Sequence, residues 1–239
     1  MKPLVTVVTP TTGAPYLRQA IESVKNQTYE NVQHLIFVDG QPKGRVICSE
    51  YTGIDVIDLP YPTGTDRYNG HRMYGASAFL AKGEYICYLD EDNWLEPTHI
   101  ESLMKVMDTG VQWAYSLRKI TDTDGNYVCN DDCESLGKWT SCINDNFVDV
   151  GCYFFPKQLA LQLSPIWYRK AREPGVPEVD RMLMHVLKSN NTKYDTNGEY
   201  TLNYRTGNTQ LSVQKDFFLQ GNEFMKQKYN GEFPWRRKI

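Results

Sequence analysis

Long apolar runs are missing from this 239-residue chain. The opening stretch, Met1 to Pro10, holds a brief apolar run interrupted by Thr6 and Thr9, too short to span a bilayer and without the flanks of a secretory leader. Excess positive charge is missing too: the net charge is −3, which leaves no electrostatic footprint for nucleic acid. The six cysteines (Cys48, Cys87, Cys129, Cys133, Cys142, Cys152) form no Cys-x-x-Cys pair. Without a leader, disulfides are not expected, so free thiols are the favoured reading and a structural zinc the lesser one. There is no internal repeat and no low-complexity segment. These absences predict a soluble protein, cytoplasmic unless a membrane recruits it, and the length suffices for one substantial core.

What is present is a cluster of acids. An apolar run ending at Tyr88 and Leu89 passes straight into Asp90, Glu91, Asp92 and Asn93. Three carboxylates in one turn raise one another's pKa unless a positive charge joins them. A hard divalent cation, magnesium or manganese, takes oxygen ligands and leaves positions open for phosphates, so an Asp-x-Asp turn suits a metal-diphosphate complex. Taken alone, the same tripeptide also reads as a solvated turn before the helix that Pro97 opens. Sixteen tyrosines and five tryptophans suit sugar-facing grooves, and ordinary packing accounts for many of them equally well.

The order of elements gives the cluster a context. Leu4 to Thr9 reads as a buried strand closed by Pro10, Thr11, Thr12 and Gly13. Leu17, Ala20, Ile21 and Val24 mark a helix over Ala14 to Gln27, with Pro15 in its first turn. Val32 to Val38 is a second strand, and strand-helix-strand of this length predicts a right-handed crossover in a parallel sheet. Arg45 to Tyr51 reads as a weak helix or extended segment, Ile54 to Leu59 as a third strand, Tyr61 to Gly70 as a loop, Gly70 to Lys82 as a helix and Glu84 to Leu89 as a fourth strand. Thr11, Asp39 and Asp90 therefore meet at one edge, where open α/β sheets bind ligands. Further on, Pro97 to Met107 is a helix, and Val111 to Ile120 pairs with Tyr127 to Cys129 around Asp124, Gly125 and Asn126. Asp131 to Asp145 has no assignable pattern. Phe147 to Phe155 reads as a strand, Tyr168 to Pro177 as a loop with Arg169, Lys170, Arg172, Pro174 and Gly175, and Glu178 to Leu187 as a helix. Tyr200 to Tyr204 is a strand, Ser212 to Tyr229 a helix, and Trp235 to Lys238 a basic end that either stays solvated or touches an anionic membrane surface.

Val5 to Thr11; Ile21, Glu22, Ser23, Val24, Asn26, Gln27 and Thr28; Val38, Asp39 and Gly40; Arg72; and Gly83 through Asp92 follow one another in this order. Together these stretches resemble the family 2 inverting glycosyltransferases of the GT-A fold. The resemblance implies an α/β GT-A fold: a mostly parallel nucleotide-binding sheet flanked by helices, a smaller mixed sheet on the acceptor side and a C-terminal helix. It divides a single domain into a nucleotide-sugar half (1–110), an acceptor half (111–210) and a tail (211–239). It implies transfer from a nucleoside diphosphate sugar, with UDP as the favoured nucleotide, to a hydroxyl of a glycan or other acceptor. Pro10 and Thr11 then lie by the nucleoside, Asp39 accepts from the base N–H, and Arg72 faces the diphosphate. Asp92 is the expected ligand of manganese or magnesium. Asp90 is expected on the donor sugar or the metal, and Glu91 is a spacer beside the donor.

Inversion also needs a base for the acceptor hydroxyl. Glu178, Val179, Asp180, Arg181, Met182 and Leu183 resemble the family's Glu-Asp pair before an apolar helix, with a valine between the acids. Counting back from Leu183 puts Asp180 at the base position, with Glu178 second and Asp149 third; both acids of the pair also suit a helix N-terminus. Two departures bear on binding. Thr12 stands where the family often stacks an aromatic on the base, which leaves Tyr61 or Tyr68 for that task, and Gly207 stands where a histidine often follows the Tyr204-Arg205 pair. Val179 and Gly207 keep open a second reading, a non-catalytic nucleotide- or glycan-binding domain. A nucleotidyltransferase is disfavoured because Thr12, Gly13, Ala14 and Pro15 supply no basic glycine-rich loop.

Overall fold

In the computed structural model, which describes residues 2–170, 178–208 and 212–237, the first element is a strand of consecutive β-branched residues. This is β1 (Val5–Thr11), buried along its whole length, as the run Val-Thr-Val-Val-Thr favours. The helix α1 (Leu17–Lys25) buries Leu17, Ala20, Ile21 and Val24, the four positions at helical spacing. It begins at Leu17, so Pro15 precedes the first turn instead of lying in it. The strand β2 (Val32–Val38) matches its expected bounds. The segment after it is the helix α2 (Pro42–Cys48), which Pro42 opens where a missing N–H does no harm. Next come β3 (Ile54–Asp58), α3 (His71–Leu80) and β4 (Tyr85–Tyr88).

The second half adds β5 (Trp94–Leu95), α4 (His99–Met107) and the hairpin of β6 (Trp113–Thr121) with β7 (Tyr127–Asn130). The expected strand from Phe147 begins only at β8 (Tyr153–Pro156). Before it, Asp149 accepts a hydrogen bond from the Gly151 N–H at 3.0 Å, and Val150–Cys152 winds into a 3-10 turn. A short side chain that bonds its own backbone competes with the sheet ladder, and here it prevails. The helices α5 (Lys157–Leu163) and α6 (Val179–Ser189) follow. The strand β9 (Tyr194–Arg205) is longer than expected, because Tyr194 stacks on Trp113 with ring centroids 4.3 Å apart. The chain closes with α7 (Lys215–Lys228).

One sheet of order β3-β2-β1-β4-β8-β6-β9-β5 runs through these elements, with β7 added beside β6. The strands β3, β2, β1 and β4 are mutually parallel, as are β6 and β9, while β8 runs antiparallel to both neighbours. Strand order reverses on either side of β1, and such a switch point opens a crevice at the carboxyl ends of β1 and β4. The helices α1 and α2 cover β2 through Leu17, Ile21, Ile36, Val38 and Ile47. The main core is aromatic: Tyr88, Trp113, Tyr115, Tyr153, Phe154, Phe155 and Trp167 are almost wholly buried, so much of the aromatic content is packing. All six cysteines are free. Among the described residues no helix is long and apolar enough to cross a membrane.

Candidate active site: an acidic cleft at the switch point

The acidic turn hangs from the end of β4 and is tied down from three directions. Tyr74, on α3, donates its hydroxyl to Asp90 Oδ1 at 2.5 Å. Asn208, just beyond β9, donates its amide to Asp92 Oδ2. The last residue of β9, Arg205, donates its N–H to Asn93 Oδ1 and its Nε to the Asp92 carbonyl, each at 2.9 Å. Burial, followed by the neighbouring Asp92 charge, pushes the Asp90 carboxyl well above the ordinary range, and the Tyr74 hydroxyl only partly opposes this. Asp92 is raised as well, first by burial, with the Asn208 amide opposing. A carboxylate pair that resists ionisation is under-supplied with positive charge.

Glu91 is no spacer. Its carboxylate turns back to the end of β1 and accepts four hydrogen bonds: Thr11 Oγ1 at 2.5 Å, Thr12 N–H at 3.0 Å, Thr12 Oγ1 at 2.8 Å and Ala14 N–H at 2.9 Å. It thereby satisfies the turn that carries Pro10 and Thr11. Gly13, at φ +86°, permits that turn to lie against α2, since a Cβ there would come within 2.5 Å of the Gly44 nitrogen.

These residues border a cleft of about 490 Å³ whose walls include Pro10, Thr11, Asp39, Asp90, Glu91 and Asp92. The structure thus brings together six of the expected site residues. Asp39 is buried and already engaged: Oδ1 accepts from Thr63 N–H at 2.6 Å and Thr63 Oγ1 at 2.8 Å, and Oδ2 accepts from Gly64 N–H at 2.8 Å. A carboxylate has about four acceptor positions, so Oδ2 keeps one for a further donor. Arg72 lies outside the cleft's lining. Its Nη1 donates to the Thr63 carbonyl at 3.1 Å, and its guanidinium lies 3.5 Å from the Tyr68 ring centroid and 5.0 Å from that of Tyr168. Tyr61 and Tyr68 are likewise absent from that lining.

Asp180 occupies the first turn of α6 and Glu178 its N-cap position. Neither lines the cleft. Tyr153 donates its hydroxyl to the Asp180 carbonyl at 3.1 Å, and Asp180 Oδ1 accepts the Arg181 N–H at 2.7 Å. Burial, then the charge of Asp149, push the Asp180 carboxyl up to about 7, the range of a general base working near neutrality. Asp149 also helps to raise Asp90, so its charge reaches both sides of the site. It is itself bound by Arg118 Nη1 at 2.5 Å. Arg172, Pro174 and Gly175 of the charged loop lie outside the described residues, as does Lys238. The basic end is not free: Trp235 is buried with its indole N–H on Asp132 Oδ1 at 2.7 Å, Arg236 also binds Asp132, and Arg237 binds Glu199 at 2.8 Å.

Tyr74, Asn93, Asn208 and Arg118 carry no signal a sequence reading could isolate, because each acts through a partner between 16 and 116 positions away. For Glu91, the run of three acids gave the location and hid the direction in which the middle side chain points.

Residues 6–138 match the family model for glycosyl transferase family 2. The uncharacterised glycosyltransferase MJ1057 of Methanocaldococcus jannaschii is 27% identical over 223 residues, covering 87% of this chain and 72% of that protein. The putative glycosyltransferase EpsH of Bacillus subtilis is 31% identical over 91 residues, 38% of this chain and 26% of EpsH, so the chain spans about a quarter of that relative. In three dimensions, S. aureus TarS 1-349 in complex with UDP-GlcNAc superposes with a TM-score of 0.63 at 13% identity, covering 94% of this chain and 66% of that one, a likeness of fold. The fold is GT-A, and the chain belongs to glycosyl transferase family 2.

Proposed function

We propose that this glycosyltransferase moves a sugar, with inversion, from a UDP-sugar to a hydroxyl of a glycan or other acceptor, with manganese or magnesium at the acidic turn. One observation carries the reading. The cleft at the switch point is walled by four carboxyl groups, Asp39, Asp90, Glu91 and Asp92, while the guanidinium of Arg205, the one cation of its lining among the described residues, is spent on the carbonyls of Asp92 and Thr123 and on Gln19. A diphosphate enters such a cleft only with added positive charge.

The donor set fits that charge. Asp90 and Asp92 offer hard oxygens without sulfur or imidazole, which suits magnesium or manganese. Among the described residues no three His, Cys, Asp or Glu side chains converge on one metal position, so phosphates and water are needed to complete the coordination shell. When bound, the cation offsets the charge that builds on the leaving nucleoside diphosphate. Pro10 and Thr11 border the nucleoside, and the unused acceptor position of Asp39 suits the imide N–H of uracil. The UDP-GlcNAc complex of TarS supports a uridine donor by analogy of fold. Arg72, stacked on Tyr68, reaches a diphosphate only by leaving that ring.

Asp180 then takes the proton of the acceptor hydroxyl. That oxygen forms a bond to the anomeric carbon as the bond to the diphosphate breaks, and its electron pair leaves with the nucleotide. Glu178, at the helix cap, stands in reserve. The place of such a transfer is glycan or polysaccharide synthesis. Incubation with a panel of nucleotide sugars and manganese tests the reading. Turnover that Asp180→Asn abolishes without loss of donor affinity is expected. Donor binding without turnover of any donor favours instead a non-catalytic binding domain, and absence of nucleotide binding refutes the transferase and leaves a glycan-binding domain alone.

A further inference from the structure

The most heavily charged part of the interior lies outside the donor cleft. Arg118, on β6, is 1% exposed and meets three carboxylates: Asp131 through Nε at 2.8 Å, Asp149 through Nη1 at 2.5 Å and Glu134 through Nη2 at 2.7 Å. Tyr204, which lines the donor cleft, faces the same guanidinium with its ring centroid 4.3 Å away. Asp131 is satisfied independently, since it also accepts the backbone N–H groups of Cys133, Glu134 and Ser135. Asp149 has one such donor, the Gly151 N–H, and Glu134 has none among the described residues beyond Arg118 and Arg181. One guanidinium serves three acids, and the second cation at the cluster is Arg181, whose Nη2 reaches Glu134 Oε1 at 3.2 Å.

Arg181 is the residue after Asp180. It also lies 3.5 Å from Asp145 and stacks its guanidinium 4.7 Å from the Phe147 ring centroid. The first turn of α6 is therefore fastened to the body by Arg181 on Glu134 and Asp145 and by the Tyr153 hydroxyl on the Asp180 carbonyl. We propose that the buried network Arg118–Asp149–Glu134–Arg181 is a positioning device for Asp180: Arg181 anchors the turn that carries it, and the excess of carboxylates over guanidinium groups in the network acts on its carboxyl. The inference rests on Asp180 being the acceptor-side base.

Among the described residues, the groups whose charge acts on Asp180 are Arg181 on its own helix, Glu134 on the long loop and Asp149 before the 3-10 turn, and the Tyr153 hydroxyl of β8 lies on its carbonyl. Behind them stand Arg118 on β6, and Asp145 paired with His185 at 3.3 Å. Cations and anions in this set act on Asp180 with opposite sign, which separates a charge-setting network from a merely structural one. Structural damage by any member would loosen the helix and move the titration in one common direction, toward that of a solvated aspartate.

The full chain labelled with 13C at aspartate side-chain carboxyls provides the test, with Asp180→Asn assigning the Asp180 signal. Arg181→Gln is expected to raise the proton affinity of Asp180 by about tenfold, and Asp149→Asn and Glu134→Gln each to lower it by a similar factor. Any two of the three variants suffice if one does not fold, provided Arg181→Gln is among them. Opposite displacements support the inference, whereas displacements of one sign, or none, overturn it. Turnover by Asp180→Asn would remove the base reading beneath it. Loss of turnover in Asp180→Asn with an unmoved titration in the other variants would remove the network alone.

Discussion

Replacing Glu91 separates two roles that the acidic turn could give it. Its carboxylate accepts four hydrogen bonds from the end of β1, and two of these, from Thr12, are exposed, so water replaces them at little cost. The remaining two, from the buried Thr11 hydroxyl and the Ala14 N–H, are charge-assisted bonds, each contributing roughly 1.5–3 kcal/mol. Taking the low end for partial exposure, Glu91→Ala costs about 3 kcal/mol. In a domain of this size that lowers Tm by about 6–12 °C. Glu91→Gln keeps the shape but turns one acceptor oxygen into an amide that faces N–H donors, so it recovers less than half of the loss. Calorimetric unfolding of the three proteins without nucleotide checks this. A Tm unchanged within about 1 °C, with nucleotide binding impaired instead, would refute the clamp and restore Glu91 to the donor.

Other perturbations read other parts of the site. With the Asp180 carboxyl pushed up to about 7, turnover should rise with pH through that value and fall about tenfold per pH unit well below it; a flat profile between pH 5 and 8 would contradict a base at Asp180. The same raised value predicts a stability contribution that is full below the unfolded carboxylate range and lost as pH rises through about 7, so Asp180→Asn should be relatively more stable at pH 8 than at pH 5, as thermal melts would reveal. Arg118→Met leaves the buried Asp131 and Asp149 without a cation and Glu134 with Arg181 alone, and should cost about 3–5 kcal/mol in urea unfolding, against near-neutrality if the cluster were solvated. Asp39→Asn should weaken UDP binding while freeing the Thr63-Gly64 backbone, which amide hydrogen exchange at Gly64 would register.

The first half of the fold was legible in the sequence, because buried parallel strands announce themselves as short β-branched runs. Thr11, Asp39, Asp90 and Asp92 meet in one cleft as the strand order required. Arg72 was legible as a residue and not as a position: facing the diphosphate and stacking on Tyr68 are equally compatible with its place at a helix start. The second half was less legible. Asp131 to Asp145 has no period because its backbone folds around side chains, with Asp131 capping three successive N–H groups and Arg118 gathering acids from 13 to 31 residues away. The basic tail looked like a fraying end, yet Asp132 binds the Trp235 indole and holds it in the core. Such long-range side-chain pairings decide the second half of the fold and leave no trace in local patterning.

The measurement closest to the central claim is calorimetric titration of UDP into the protein, once with manganese and once with a chelator. The charge balance of the cleft predicts binding with manganese, a loss of roughly tenfold or more in affinity with the chelator, and a comparable loss in Asp92→Asn with manganese present. Equal affinity with and without the cation would mean that the acidic turn is not where a diphosphate is held.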